Sequence, residues 1–244
     1  MRPVRRGASP QAHDFGDYAD AKPDLVSRLG SYCSFCERRI ATNLAVEHIQ
    51  PKGLSKYAHL EGRWENFLLA CVNCNSTKGD KDVDPAEVLL PDRDNTFDAF
   101  HYPQDGTVSA RSGMSPTVTA MANQTLKLVG LDKKMSQTRD ENGHMVALDR
   151  ASQRMEAWVA ASDARFTVTA NPSNQAVRRM VVELAKATGF FSIWMVAFED
   201  DPDMRRRLIE TFEGTEPSEC FDLATTLPVS PAPNPDGLPD GGKV

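Results

Sequence analysis

Two C-x2-C pairs, Cys33/Cys36 and Cys71/Cys74, stand 34 residues apart, and a Glu47-His48 pair lies between them. Four thiolates in this spacing suit a tetrahedral zinc ion, which has no geometric preference of its own to compete with the sulfurs. The plainer alternative is two coincidental pairs of buried thiols. In a reducing compartment such pairs more often hold metal than form disulfides. Cys220 stands alone far downstream.

A closed four-cysteine site needs no further ligand, so zinc is expected to clamp the ends of the intervening segment and leave His48 free. Directly after the second pair, Asn75 and Lys78 fall at i, i+3 on one side of a helical turn. Asn75, Ser76 and Thr77 can each cap a helix start, a natural anion site. A hard divalent cation on oxygens of Glu47 and Asn75 would polarise a phosphate, while His48 deprotonates a water. The expected reaction is phosphodiester hydrolysis. Taken singly, each residue has a blander explanation: a solvated strand glutamate, a core histidine, a surface lysine.

The elements that must position these groups follow from the apolar pattern. Leu44, Val46 and Ile49 predict a strand that breaks at Pro51-Lys52-Gly53. Adjacent strand residues point to opposite sides, so a bulge near Glu47-His48 is expected to let both address one phosphate. The chain divides into a flexible segment 1–22, a zinc-clamped domain 23–90, a connecting hairpin region 91–113 turning at Asp105-Gly106, a helical domain 114–226 and a disordered Pro- and Gly-rich tail 227–244. In the helical part, Val118, Met121, Ala122, Thr125 and Val129 share one face. So do Leu148, Met155, Trp158 and Val159, and then Val177, Met180, Val181, Leu184 and Ala185. These stripes are expected to be core. The expected fold class is α+β, a small zinc-clamped core followed by a mainly α-helical C-terminal region.

The 244 residues carry 28 Lys and Arg against 34 Asp and Glu, a net charge of -6 that argues mildly against indiscriminate nucleic-acid binding. Between Cys33 and Lys81, however, seven basic residues face five acidic ones, a local excess suited to a phosphate contact. No run approaches the roughly 20 apolar residues that span a bilayer. The first residues are basic but lack the apolar stretch of a secretory leader. The expected location is the cytoplasm. His59, His101 and His144 match no motif.

The stretches "CSFC", "VEHIQPKG", "RWENFLLAC" and "CVNCNSTKGD", in that order over roughly residues 30–82, resemble the HNH endonucleases of the zinc-knuckle type with a ββα-metal fold. The resemblance implies His48 as general base, Asn66 as the structural Asn of the loop, and Asn75 in a third position often held by His. It implies Glu47 as a metal ligand where many members have Asp, and Lys78 and Lys52 as phosphate contacts. It further implies structural Zn2+ on Cys33, Cys36, Cys71 and Cys74, catalytic Mg2+ or Mn2+ on Glu47 and Asn75, and DNA as substrate. The wording is also similar to HNH nucleases that partner ATPases in Septu-type and retron-linked anti-phage defence. That implies an ATPase partner, with the helical half after residue 114 as its place. The competing reading is a zinc-ribbon module that binds nucleic acid or protein without cutting. Such a module needs cysteines and basic surface but not the set Glu47, His48, Asn66 and Asn75.

Overall fold

The computed structural model describes residues 1–134, 139–144 and 149–244. Strand β1 (Ala45–His48) pairs antiparallel with β2 (Phe67–Ala70), and β2 runs through Cys71 straight into helix α2 (Val72–Lys78). Every β2 residue is buried, as expected of a short apolar strand with helix α1 (Lys22–Leu29) packed against it. The register is unbroken: Glu47 lies opposite Leu68 and His48 opposite Phe67. The expected bulge is therefore not formed, and ordinary strand alternation sends the two side chains to opposite faces.

The predicted hairpin is present as β3 (Phe100–His101) and β4 (Ser109–Ala110), after the short helix α3 (Thr96–Ala99). Its turn needs Gly106. The residue has φ 74°, and a Cβ there would sit 2.2 Å from the Ala151 carbonyl oxygen.

Helices α4 (Pro116–Val129), α5 (Arg150–Ala170), α6 (Gln175–Thr188), α7 (Phe191–Ala197) and α8 (Pro202–Thr211) complete the mixed α+β architecture. Local chemistry sets their starts: Ser115, Asp149, Asn174 and Asp201 each accept a backbone N–H of the first turn. Two apolar clusters result. One surrounds β1, β2, α1 and α4; the other is built by α5 to α8 around Trp158, Val181, Trp194, Leu208 and Phe212. Among the described residues, no helix is long and apolar enough to cross a membrane.

The α6 stripe differs from expectation. Met180 is 72% exposed and Leu184 44%, while Arg178, Val181, Val182 and Ala185 are buried. Arg178 lies on the buried edge with Val181, Val182 and Ala185, its guanidinium paired with Asp201 at 2.9 Å and with Asp203 at 3.1 Å. Val159 on α5 is likewise exposed beside the buried Trp158; Leu148 lies outside the described residues.

Both terminal segments also depart from expectation. Met1, Arg2, Val4 and Arg6, in the stretch expected to be flexible, are buried, as are Ala232, Leu238 and Val244 in the stretch expected to be disordered. The reason is a polar hub at Asp92-Arg93-Asp94-Asn95. Arg6 pairs with Asp92 at 2.8 Å, and Arg93 donates to the Pro239 carbonyl. Asp94 accepts from the Lys243 amide, and Asn95 donates to the Cys220 and Val229 carbonyls. A Pro- and Gly-rich segment builds no core of its own, but it can be pinned through its backbone groups.

Candidate functional site

The zinc knuckles come together as the spacing predicts. Cys33 and Cys36 lie on a tight turn in which the Glu37 amide donates to the Cys33 carbonyl and Glu37 takes φ 64°. Cys71 stands at the N-terminal boundary of α2 and Cys74 lies in its first turn. All four are buried and their sulfurs lie within 4.8 Å of one another. The Cys36 and Cys71 sulfurs are 3.7 Å apart, matching the edge of about 3.8 Å in a tetrahedron of zinc–sulfur bonds of ~2.3 Å. Hydrogen bonds from Cys33, then Cys36 and Cys74, hold the Cys71 thiol well below its usual range. Cys33, chiefly through burial, and Cys74, through its thiol neighbours, go the other way. Four sulfurs this close cannot all ionise unless a cation neutralises them, and an all-thiolate, tetrahedral set fits Zn2+.

The helical region docks directly on these knuckles. Arg150, at the start of α5, donates to the Cys74 sulfur at 3.0 Å and to the Val129 and Gly130 carbonyls. Glu37 accepts from the Ser192 amide at 2.7 Å and its hydroxyl at 2.6 Å, capping α7 from the first knuckle. Between α6 and α7, Gly189 (φ 75°) bridges to Arg38. A Cβ there would lie 2.7 Å from the Glu37 carbonyl oxygen and the Arg39 nitrogen. Such outer contacts orient ligand cysteines and offset thiolate charge. None of these partners has a sequence signal beyond the isolated Gly189.

On β1, Glu47 is 3% exposed and faces α2, where its Oε1 lies 2.8 Å from Lys78 Nζ. Lys78 is 2% exposed and also donates to the His48 carbonyl at 2.7 Å. This corrects the expectation of a phosphate-contacting Lys78: its ammonium is consumed by an internal carboxylate and carbonyl. Burial pushes the Glu47 carboxyl above its usual range, against the pull of Lys78. Asn75 is half-buried one turn before Lys78, a spacing of about 5–6 Å between Cβ atoms on one helix face.

His48 is 8% exposed. Its Nε2 lies 2.9 Å from the Glu61 carbonyl oxygen. A carbonyl only accepts, so Nε2 carries the proton and Nδ1 keeps the free lone pair. Burial lowers the imidazole pKa against the pull of the Glu61 carbonyl, with Lys52 and Lys78 adding to the lowering. Lys52 remains at the surface, its ammonium 2.6 Å from Glu61 Oε1.

Asn66 uses both ends of its side-chain amide. Its Oδ1 accepts from the Gln50 amide at 2.8 Å, and its Nδ2 donates to the Gln50 carbonyl at 2.9 Å and to the Leu60 carbonyl at 3.3 Å. The Ile49 amide also donates to the Asn66 carbonyl at 2.8 Å. The side chain thus extends the β1–β2 ladder past its end and ties down the loop that carries Lys52 and Glu61. Tyr18 and Glu61, both in contact with the His48 environment, are the residues sequence reasoning missed. Cys220 takes no part: it is far from the knuckles in sequence, and burial pushes its thiol up to about 12.

Set against known proteins, residues 32–81 match the family model of the HNH endonucleases, about a fifth of the chain. The four-cysteine cluster fits the zinc-knuckle type of that family, and the match supports a nuclease-type function in general. No curated protein matches the chain.

Proposed function

We propose that the chain is a metal-dependent endonuclease that hydrolyses phosphodiester bonds in DNA. One observation carries this reading: His48, with its proton on Nε2 and Nδ1 free, follows directly on the strand from Glu47, whose buried carboxylate faces the helix bearing Asn75, so base and metal ligand would reach the phosphate from the two faces of the strand end. In this reading Nδ1 of His48 takes the proton of the attacking water, and the Glu61 carbonyl stabilises the imidazolium that forms. Glu47 and Asn75 would hold Mg2+ or Mn2+, an ion that draws most of its ligands from water and phosphate and so needs few from protein. When bound it supplies Lewis-acid polarisation of the scissile phosphate. Lys52, at the rim, would meet the phosphate backbone.

The Glu47–Lys78 pair favours a second reading, because an internal ammonium already neutralises the carboxylate the metal would need. On that reading the segment is a zinc-held binding module. The test is to incubate the purified chain with plasmid DNA, single-stranded DNA and RNA, with and without Mg2+ or Mn2+. Metal-dependent nicking supports the nuclease; binding without cleavage at any metal concentration supports the module. Asn75→Ala should cut poorly and recover partly at high metal. Asn66→Ala, which loosens the loop, should not be rescued by metal.

An ATPase partner, a role against invading DNA and a cytoplasmic location rest on the wording of the motifs and on the free cysteines. The exposed Met180 and Leu184 on α6 are where a partner would be sought, by co-purification with wild-type chain and with Met180→Glu.

A further inference from the structure

The His48 ring is boxed on several sides. Phe67, its cross-strand neighbour, meets it edge-on with centroids 5.2 Å apart and planes at 90°. Tyr18 meets it with centroids 4.8 Å apart at 72°. The Lys52 ammonium lies 4.1 Å from the centroid of the Tyr18 ring, and the same ammonium is held by the Glu61 carboxylate. Glu61 closes the circuit, since its backbone oxygen accepts from His48 Nε2. Four residues from three separate stretches of chain therefore form one ring of contacts: His48, Tyr18, Lys52 and Glu61. Tyr18 is itself anchored, because it opens a turn (Tyr18–Ala21) whose Ala19 amide is capped by the Asp17 side chain at 2.9 Å.

We propose that Tyr18 is a positioning residue that fixes the His48 imidazole in the orientation leaving Nδ1 free. This deepens the nuclease reading, and its functional consequence rests on that reading. An imidazole held by one hydrogen bond can turn about its Cβ–Cγ bond, which puts Cε1 in place of Nε2 at the carbonyl and frees the ring proton to move between the two nitrogens. Edge-to-face packing from Tyr18 and Phe67 obstructs that turn, and the cation over the Tyr18 face strengthens the clamp. Phe67 belongs to the buried core of β2, so it cannot be altered without disturbing the sheet. Tyr18 is half-buried and is the member of the box open to a clean substitution. Its ring, rather than its hydroxyl, makes the contact with His48, so phenylalanine should serve in its place.

The test uses the full chain labelled with 15N-histidine at fixed pH, with the His48 signals identified by their loss in His48→Gln. Wild type and Tyr18→Phe should show one His48 tautomer, protonated on Nε2; Tyr18→Ala should show averaged ring-nitrogen signals. On plasmid DNA with Mg2+, Tyr18→Ala should lose about tenfold in kcat with little change in KM, and Tyr18→Phe should restore it. If Tyr18→Ala lowers the far-UV circular dichroism signal, Tyr18→Leu, which keeps bulk without a ring, takes its place. A single unaveraged Nε2–H tautomer in the folded alanine or leucine variant overturns the proposal, whatever happens to cleavage. If wild type cleaves nothing, the nuclease reading fails separately and the spectra alone decide the role of Tyr18.

Discussion

Two regions of this molecule tie distant stretches of chain together, and they do so by different physics. The zinc knuckles join residues 33–36 to residues 71–74 through four identical sulfurs that converge within 4.8 Å. The hub at residues 92–95 joins the first residues of the chain to residues 220–244 through unlike partners: carboxylate to guanidinium, amide to carbonyl, ammonium to carboxylate. The first clamp would depend on one shared cation, so its strength would be gathered at a point. The second is spread over many bonds, each modest, but several of them buried where an unpaired group is costly. A point clamp should fail all at once when any ligand is lost. A distributed clamp should fail in steps that reflect the charge and burial of the group removed.

The largest effect should therefore come from the knuckles. Cys71→Ser, or removal of zinc by a chelator, should unfold the segment around residues 32–81, since metal-binding energy in such modules is folding energy. Elemental analysis of the intact chain should give about one zinc per chain. A folded, zinc-free protein would break the comparison at its strong end.

Next in size is Asp92→Asn, which leaves Arg6 and Arg93 buried beside an uncharged amide. The expected loss is about 3–5 kcal/mol by urea denaturation at neutral pH. Burial alone would raise the Asp92 pKa, but Arg93 and Arg6 outweigh it and hold the carboxyl below its usual range. A depressed folded-state pKa gives stability that is complete above the unfolded value of about 3.9 and is lost as pH falls through the folded value. The gap between wild type and Asp92→Asn should therefore narrow below about pH 4. A gap independent of pH would show that the pair contributes through packing alone.

The smallest step is Asn95→Ala, which leaves the Cys220 and Val229 carbonyls without their donor. Loss of these neutral hydrogen bonds should cost about 1–3 kcal/mol. It should also raise amide exchange in residues 228–244 with little effect near the knuckles. Equal exchange in both places would mean that the two clamps are one cooperative unit.

The difference between the clamps also explains what could be read in advance. Cysteine at C-x2-C spacing has few other uses, so the four-cysteine cluster, strand β1 and helix α2 were legible from residue type and order. Asp92, Arg93 and Asp94 are residue types that usually face water, and their partners are up to 149 positions away, as with Lys243. No local pattern announces that they are buried. The terminal segments were misjudged for the same reason, because Pro and Gly report what a segment cannot build and say nothing about what can hold it. Lys78 shows a third limit. Its place on α2 was readable, but which way its ammonium points depended on Glu47 being buried across from it. Tyr18 reaches His48 from 30 positions away with no motif to mark it.

His48, held between the two knuckles, is the proposed hydrolytic base, and its removal is the decisive check on that proposal. Wild-type chain and His48→Ala are incubated with plasmid DNA in Mg2+ or Mn2+, with circular dichroism and zinc content measured on the same samples. Both proteins should be folded and carry zinc; wild type should nick the plasmid and His48→Ala should not, because the base acts in the transition state rather than in holding the fold. Cleavage by His48→Ala at the wild-type rate would contradict the proposal, leaving His48 as a packed core residue.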